Sequence, residues 1–127
     1  MRRRRAFFDA VMVDSHSIVA LGGISGAVSE SRRLETSASS AVELFDMRNN
    51  TWMDLPSMTH GRCLFTAHVL GGNDIYVIGG QCQLSHDTAN LKVLGMDKFS
   101  FDRYQWTQNG MLAGTKAKRS AHSSCVL

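Results

Sequence analysis

The sequence predicts an all-β chain made of repeated four-stranded antiparallel units, and three observations predict it. First, landmarks recur at nearly one period. The pair Gly22-Gly23 returns as Gly79-Gly80 and Arg62 returns as Arg119, each 57 residues on; Arg5 stands 57 before Arg62, and Trp52 returns as Trp106 after 54. Any one recurrence would mean little, but four that share a period mark a repeat architecture. Second, short apolar, β-compatible runs fill the intervals and are separated by clusters of Gly, Asn, Asp and Ser. Third, helical periodicity is poor. Even Ser31–Ser40, with Leu34, Glu35 and Ala38, lacks an apolar stripe at three- and four-residue spacing and reads as loop.

The elements follow in order. Phe7–Val13 is a first strand, Asp14–Ser17 a turn cluster, and Ile18–Leu21 a second strand running into Gly22-Gly23. The second unit repeats this with Leu64–Leu70, the turn Gly71–Asp74, and Ile75–Ile78 before Gly79-Gly80. Two β-rich runs joined by such a turn read as a hairpin. A polar stretch follows each diglycine: Ile24–Ser40, rich in Ser and carrying Arg32 and Arg33, and the shorter Gln81–Asn90. Third strands are expected at Ala41–Phe45 and at Leu91–Leu94, the latter with Gly95 inside it, which suggests a bulge or close backbone approach. The turn Asp46–Asn50 favours left-handed backbone at its asparagines. Fourth strands begin at Thr51-Trp52 and near Tyr104–Thr107, and a longer turn, Asp97–Arg103, is taken to explain the spacing of 54 against 57. The expected organisation is a basic flexible terminus over 1–5, repeats over 6–61 and 62–118, the latter degenerate in its second half, and the first strand of a third unit over 119–127.

Composition permits folding without choosing a fold: 127 residues, 43% apolar and 20% charged. Much of the net charge of +3 comes from Arg2–Arg5. Four adjacent arginines repel one another and favour a solvated tail. A nuclear localisation signal or nucleic-acid contact is the alternative, but no aromatic residue is interleaved to stack bases, so no nucleic-acid partner is expected. The three cysteines, Cys63, Cys82 and Cys125, form no CxxC pair, which argues against a disulfide framework and a zinc finger. No apolar window approaches the roughly eighteen residues of a membrane span, and Asp9 interrupts the only signal-peptide-like run. A reducing compartment is expected, the cytoplasm or the nucleus.

The stretch AVELFDMRNNTWMDLPSMTHGRCLFTAHVLGGNDIYVIGG, residues 41–80, resembles a kelch repeat, with its Gly-Gly, Asp, Trp, Met and Arg in the order of that family's motif. With its flanks the resemblance extends over about 5–127. It is weaker after Gly80, where Met111 is poorly placed against Met58 and Pro56 has no counterpart. The resemblance implies a kelch-type β-propeller fragment: four-stranded antiparallel blades in an incomplete ring, since a closed ring takes about four to eight blades. It implies structural roles for Gly22, Gly23, Asp46, Trp52, Met58, Arg62, Gly79, Gly80, Trp106 and Arg119. Among these, the glycines allow close backbone approach and the tryptophans are buried between blades. Apolar positions such as Val11, Val19 and Val93 are expected on uncovered blade faces, which would favour self-association or assembly with a fuller propeller.

Chemistry is harder to find. Among the five histidines, His16, His60, His68, His86 and His122, His86 lies near Cys82, and His60 and His122 near Cys63 and Cys125, but these are isolated Cys/His pairs and zinc wants four converging ligands. His68 and His122 are 54 apart in equivalent strands and read as packing elements. Asp14, Ser15 and His16 are sequence neighbours, whereas a triad is assembled from separated segments. Gly22–Gly26 opens no helix, so it lacks the working part of a phosphate loop. No catalytic residue, metal or cofactor is expected.

Topology favours binding. The second-to-third-strand loop and the fourth-strand exit emerge at one end of each unit: Ile24–Ser40 with Leu55–Gly61, and Gln81–Asn90 with Asn109–Lys118. These are the longest and most charged connections, and long loops on a rigid scaffold are where binding groups concentrate. Arg32, Arg33, His60, His86, Lys116 and Lys118 fall in them and suit an acidic protein partner. The resemblance implies an interaction module, in the manner of the substrate-receptor part of a ubiquitin-ligase adaptor. The alternative it allows is a piece of a propeller enzyme, oxidase or sugar isomerase, with its catalytic residues in further blades.

Overall fold

The computed structural model describes residues 1–25, 36–84 and 94–108. In chain order their strands are β1 (Asp9–Asp14), β2 (Ser17–Leu21), β3 (Thr36–Ser37), β4 (Val42–Asp46), β5 (Thr51–Leu55), β6 (Thr66–Leu70), β7 (Asp74–Ile78), β8 (Gln83–Leu84), β9 (Met96–Ser100) and β10 (Gln105–Gln108). They form two four-stranded antiparallel sheets, β1-β2-β4-β5 and β6-β7-β9-β10, and a two-stranded ribbon, β3-β8. No helix occurs among the described residues, and none is long and apolar enough to cross a membrane.

The repeat is written into the backbone as well as the side chains. Positive φ recurs at Phe7 and Leu64, at Asn50 and Tyr104, and at both diglycines. Isolated bridges recur too, Ala6 with Ile24 and Cys63 with Gln81. Asn50, at φ 53, closes the β4–β5 turn in the left-handed conformation that asparagine tolerates well. Tyr104 holds the same backbone position at φ 55 without that advantage, and its ring lies edge-on to Phe99, 5.9 Å away.

One strand is displaced from its expected place. The third strand of the second sheet is Met96–Ser100, and Leu91–Leu94 does not supply it: Leu94 lies before the strand and 91–93 fall outside the described residues. The apolar run misleads because the true strand buries a charge. Asp97 and Phe99 face inward while Met96, Lys98 and Ser100 alternate outward. The same finding moves the origin of the spacing difference. β1 to β6 and β2 to β7 step by 57, whereas β4 to β9 and β5 to β10 step by 54, so the shorter second unit loses its residues in the loop after the diglycine and not in the last turn.

The sheets stack face to face. Register places Val11, Val19, Leu21 and Val42 on one face of the first sheet, and Ala67, Ile75, Val77 and Phe99 on the facing side of the second. All eight belong to, or pack against, one apolar cluster. A fully buried aliphatic or aromatic side chain contributes about 1.5–3 kcal/mol, so this face is what joins the two units. Val19 is therefore covered and Val11 half-buried, contrary to the expectation of uncovered positions; Val93 lies outside the described residues. The exposed apolar groups are instead Phe7, Phe8, Met12 and Met53 among others. Polar bonds reinforce the stack: Asp9 accepts from the Ala67 N–H at 2.8 Å, and the Gly23 N–H donates to the Arg62 carbonyl at 2.8 Å.

Neither tryptophan is largely buried, as had been expected; both are half-buried at the outer strands. Trp52 packs on Phe45 with centroids 4.9 Å apart, and Trp106 packs on Phe99 at 5.3 Å. Trp106 also donates its indole N–H to the Pro56 carbonyl at 2.8 Å, tying the second sheet to the chain leaving the first. Trp106→Phe keeps an aromatic ring but loses that bond and the pyrrole ring's contacts, so it should lower stability by about 1–3 kcal/mol in urea unfolding followed by circular dichroism. Trp52→Ala should cost less than the roughly 3–5 kcal/mol of a fully buried tryptophan.

Candidate interaction face

In an antiparallel sheet, successive connections alternate between the two ends. Residues 1–8, the β2–β4 and β7–β9 connections and the β5–β6 connection therefore share one end, and the four short turns share the other. The loop end is stitched together across the two units. Thr36 pairs with Leu84 and Ser37 with Gln83 in the β3-β8 ribbon, and the Ala38 N–H donates to the Cys82 carbonyl at 2.9 Å. The Ser39 N–H reaches the Gly23 carbonyl at 2.7 Å, and the Arg62 N–H reaches the Ser39 carbonyl at 3.2 Å. Ser31–Ser40, read from sequence as loop, thus includes a short strand that exists only because the neighbouring unit supplies its partner.

Two arginines hold this end rigid in the same way. Arg62 lies before β6 with its side chain buried; Nη1 donates to the Gly79 and Gly95 carbonyls at 2.8 and 2.7 Å, and Nη2 donates to Asp97 at 2.7 Å. Arg5 lies before β1 and repeats the pattern, with Nη1 on the Gly22 and Ala41 carbonyls at 2.8 and 2.9 Å and Nη2 on Glu43 at 2.6 Å. Each guanidinium bridges the ends of the second and third strands, and it shares the Ala41 and Gly95 carbonyls with the backbone N–H groups of Gly22 and Gly79. In both arginines Nε is buried without an acceptor among the described residues. Burial pulls the Arg62 guanidinium below its ordinary pKa, and Asp97 acts in the opposite direction.

Arg5 is consequently not part of a solvated tail, while Arg2, Arg3 and Arg4 are exposed. Arg5 is part of the first unit, with a side chain only 2% exposed. Arg3 pairs with Asp54 at 2.7 Å, Arg2 reaches the same carboxylate at 3.4 Å, and the Arg2 N–H donates to Glu43. Between these arginines and the first diglycine lies a cleft of about 290 Å³, lined by Arg3, Arg4, Arg5, Gly22, Ile24, Ser25 and Ser39. Acidic side chains placed in strands decide where the run goes.

The diglycines make close approach possible. A Cβ on Gly22 would lie 2.5 Å from the Arg62 carbonyl oxygen and 2.8 Å from the Phe65 ring, and on Gly80 2.7 Å from the Cys63 carbonyl oxygen. All four diglycine residues also take positive φ. Met58 is buried against Gly22, and its N–H donates to the Ser40 carbonyl at 2.9 Å. Asp46 accepts the Arg48 N–H at 2.9 Å and the Asn49 amide at 2.7 Å, closing the β4–β5 turn, and these bonds, the Arg48 one foremost, hold its carboxyl below the usual range.

Of the residues expected to bind, His60 is at the loop end, half-buried, with Nδ1 3.3 Å from the Gln108 amide nitrogen. Arg32, Arg33, His86, Lys116 and Lys118 lie outside the described residues, as does Arg119. Sequence reasoning missed Glu43 and Asp97, although they are 54 apart like the tryptophans, and it missed Asp54. Cys63 is fully buried with its thiol pushed up by burial first and by Cys82 second.

Two outcomes test this arrangement. Arg62→Met and Asp97→Met should each cost about 3–5 kcal/mol, because each strands a buried charge, while the double variant should cost less than their sum. Urea unfolding of the four proteins reads the cycle, and strict additivity would mean that the pair is not coupled. The hydrogen bond from Arg3 holds the Asp54 carboxyl below its ordinary value, with the Arg3 and Arg2 charges acting in the same direction. A depressed folded-state pKa stabilises the fold above the unfolded value, about 3.9, and that contribution is lost as pH falls through the folded value. Carboxyl-carbon NMR should show Asp54 titrating below about 3.9, and Arg3→Gln should move it up.

The family model of the kelch motif matches residues 5–59. An F-box/kelch-repeat protein of Arabidopsis thaliana is 40% identical over 81 residues, 60% of this chain and 16% of that protein. A putative F-box/kelch-repeat protein of the same plant is 41% identical over 70 residues, 55% of this chain and 17% of its own length. The chain thus spans about a sixth of these relatives' length. The match begins at Arg5, the first residue of the arginine clamp, and takes in the diglycine, the Glu43 strand, Trp52 and Met58, so sequence likeness and geometry single out the same unit: residues 5–59 carry a kelch motif.

Proposed function

We propose that this chain is a protein-interaction module whose loop end receives an acidic segment of a partner, in the manner of the substrate-receiving part of a ubiquitin-ligase adaptor. One observation carries the reading. Among the described residues, the loops of the two units are joined to each other by the β3-β8 ribbon and anchored to buried arginine clamps, whereas the other end consists of separate tight turns. Preorganised loops bind without a large ordering cost. Kelch repeats and the F-box/kelch relatives support an interaction role, and the basic loop residues support an acidic partner.

The test is affinity capture with the chain as bait, read by quantitative mass spectrometry at several salt concentrations. Charge reversal of Arg32, Arg33, Lys116 and Lys118 to Glu should weaken specific capture about tenfold and flatten its salt dependence. Reversal of Arg48, Lys98 and Arg103, at or near the opposite turns, should leave it within about twofold. The reverse ranking would place binding at the turn end.

A further inference from the structure

Gly61 stands immediately before the clamp residue Arg62, in the chain that links β5 to β6, and the first unit's β2–β4 loop lies against it. A Cβ at this position would overlap the Ala38 carbonyl oxygen and lie 2.7 Å from the Ala38 carbonyl carbon and 3.1 Å from that of Ser39. No positive φ asks for glycine here, unlike at Gly22, Gly23, Gly79 and Gly80. In the first unit Arg4 holds the same place before Arg5, so the backbone plan of a unit accepts a side chain there. What requires glycine at 61 is the segment laid against it.

That segment, residues 38–40, is half-buried and carries backbone bonds in both directions. The Ala38 N–H donates to the Cys82 carbonyl at 2.9 Å, and the Ser39 N–H to the Gly23 carbonyl at 2.7 Å. The Ser39 carbonyl accepts from the Arg62 N–H at 3.2 Å, and the Ser40 carbonyl from the Met58 N–H at 2.9 Å. The β3-β8 ribbon adjoins it directly, at Thr36 and Ser37. On the other side of the contact the main chain has little freedom. Arg62 is tied through its guanidinium to Gly79, Gly95 and Asp97, and Cys63 exchanges two backbone bonds with Gln81, at 2.8 and 2.9 Å. Bonds from a buried guanidinium are stronger than neutral backbone bonds in a half-buried segment. A side chain at 61 would therefore displace the loop and leave the sheet end in place.

We infer that Gly61 is the positioning residue of the loop end: its missing side chain seats residues 38–40 of the first unit against the second, and residue 61 thereby sets whether the β3-β8 ribbon forms. The contact lies wholly between two units of this chain. Its consequence for a partner rests on the interaction-module reading, to which it adds the residue that shapes the face.

The experiment compares the full chain with Gly61→Ala and with a control, Gly71→Ala, by amide hydrogen exchange read by NMR. Gly71 sits at φ 64 with nothing within 4 Å of a Cβ there, so alanine strains the backbone and displaces no neighbour. Gly61→Ala should speed exchange of the Ala38, Ser39 and Arg62 amides about tenfold, while Val19 and Val77, buried in the inner strands β2 and β7, stay within about twofold of the parent chain. Gly71→Ala should not single out those three amides. Equal acceleration of loop and sheet amides by Gly61→Ala would mean general destabilisation and overturns the positioning role, as do unchanged Ala38 and Ser39 rates. Affinity capture with the same three proteins separates the seat from the interaction role. Gly61→Ala should weaken capture of the parent chain's specific partners about tenfold, and Gly71→Ala should keep it within about twofold. Faster loop exchange with undiminished capture would place binding away from the seated loop, so that the positioning role stands and the loop-end face does not.

Discussion

A buried guanidinium governs the loop end of each unit. Arg62 crosses from the start of β6 over the end of β7 to β9, bonding Gly79, Gly95 and Asp97 on the way. Taking such a charge out of water is costly unless every neighbour answers it, and the neighbours here are carbonyls at strand ends together with one carboxylate. The ends of three strands are thereby held together. Arg5 repeats the device on Gly22, Ala41 and Glu43. Removing a clamp would release both the sheet end and the loop that starts there.

Around that constraint the two ends of the molecule acquire different characters. At the turn end, Asp46 and Asp14 accept backbone N–H groups two residues on, so each turn is closed by its own residues. At the loop end, order is borrowed: Ser37 needs Gln83, Ala38 needs Cys82, and Gly23 needs Arg62. Local closure makes independent turns, and mutual closure makes one surface. This difference, more than the count of basic residues, makes the loop end suitable for recognition.

The interface between the sheets is equally reciprocal. Each sheet alternates its side chains, and one face of the first meets the opposite face of the second, with Val19, Leu21 and Val42 against Ile75, Val77 and Phe99. At the equivalent downstream positions the second sheet carries Tyr76 and Lys98 where the first has Val19 and Leu44. Lys98 there pairs with Asp74 at 3.1 Å and sits 5.8 Å from the Tyr76 ring centroid. The units share a backbone plan while differing in the surfaces they offer.

The amino-acid order by itself determined the repeat, the hairpins running into each diglycine, the glycine requirement at Gly22, the left-handed turn at Asn50 and the end from which the long loops leave. Those features are local, or recur with the period, and a period is visible without coordinates. Tertiary structure alone decided the rest. Asp97 looks like a surface residue until Arg62, 35 positions earlier, is brought against it, so the third strand of the second unit was sought in the more apolar Leu91–Leu94. Arg5 looked like part of a solvated run until Glu43 took it inside. The β3-β8 ribbon rests on backbone bonds between two-residue strands, which leave no side-chain pattern to read. What joins distant segments by charge or by backbone pairing is set by where the apolar faces force the sheets to meet, and only the assembled fold contains that information.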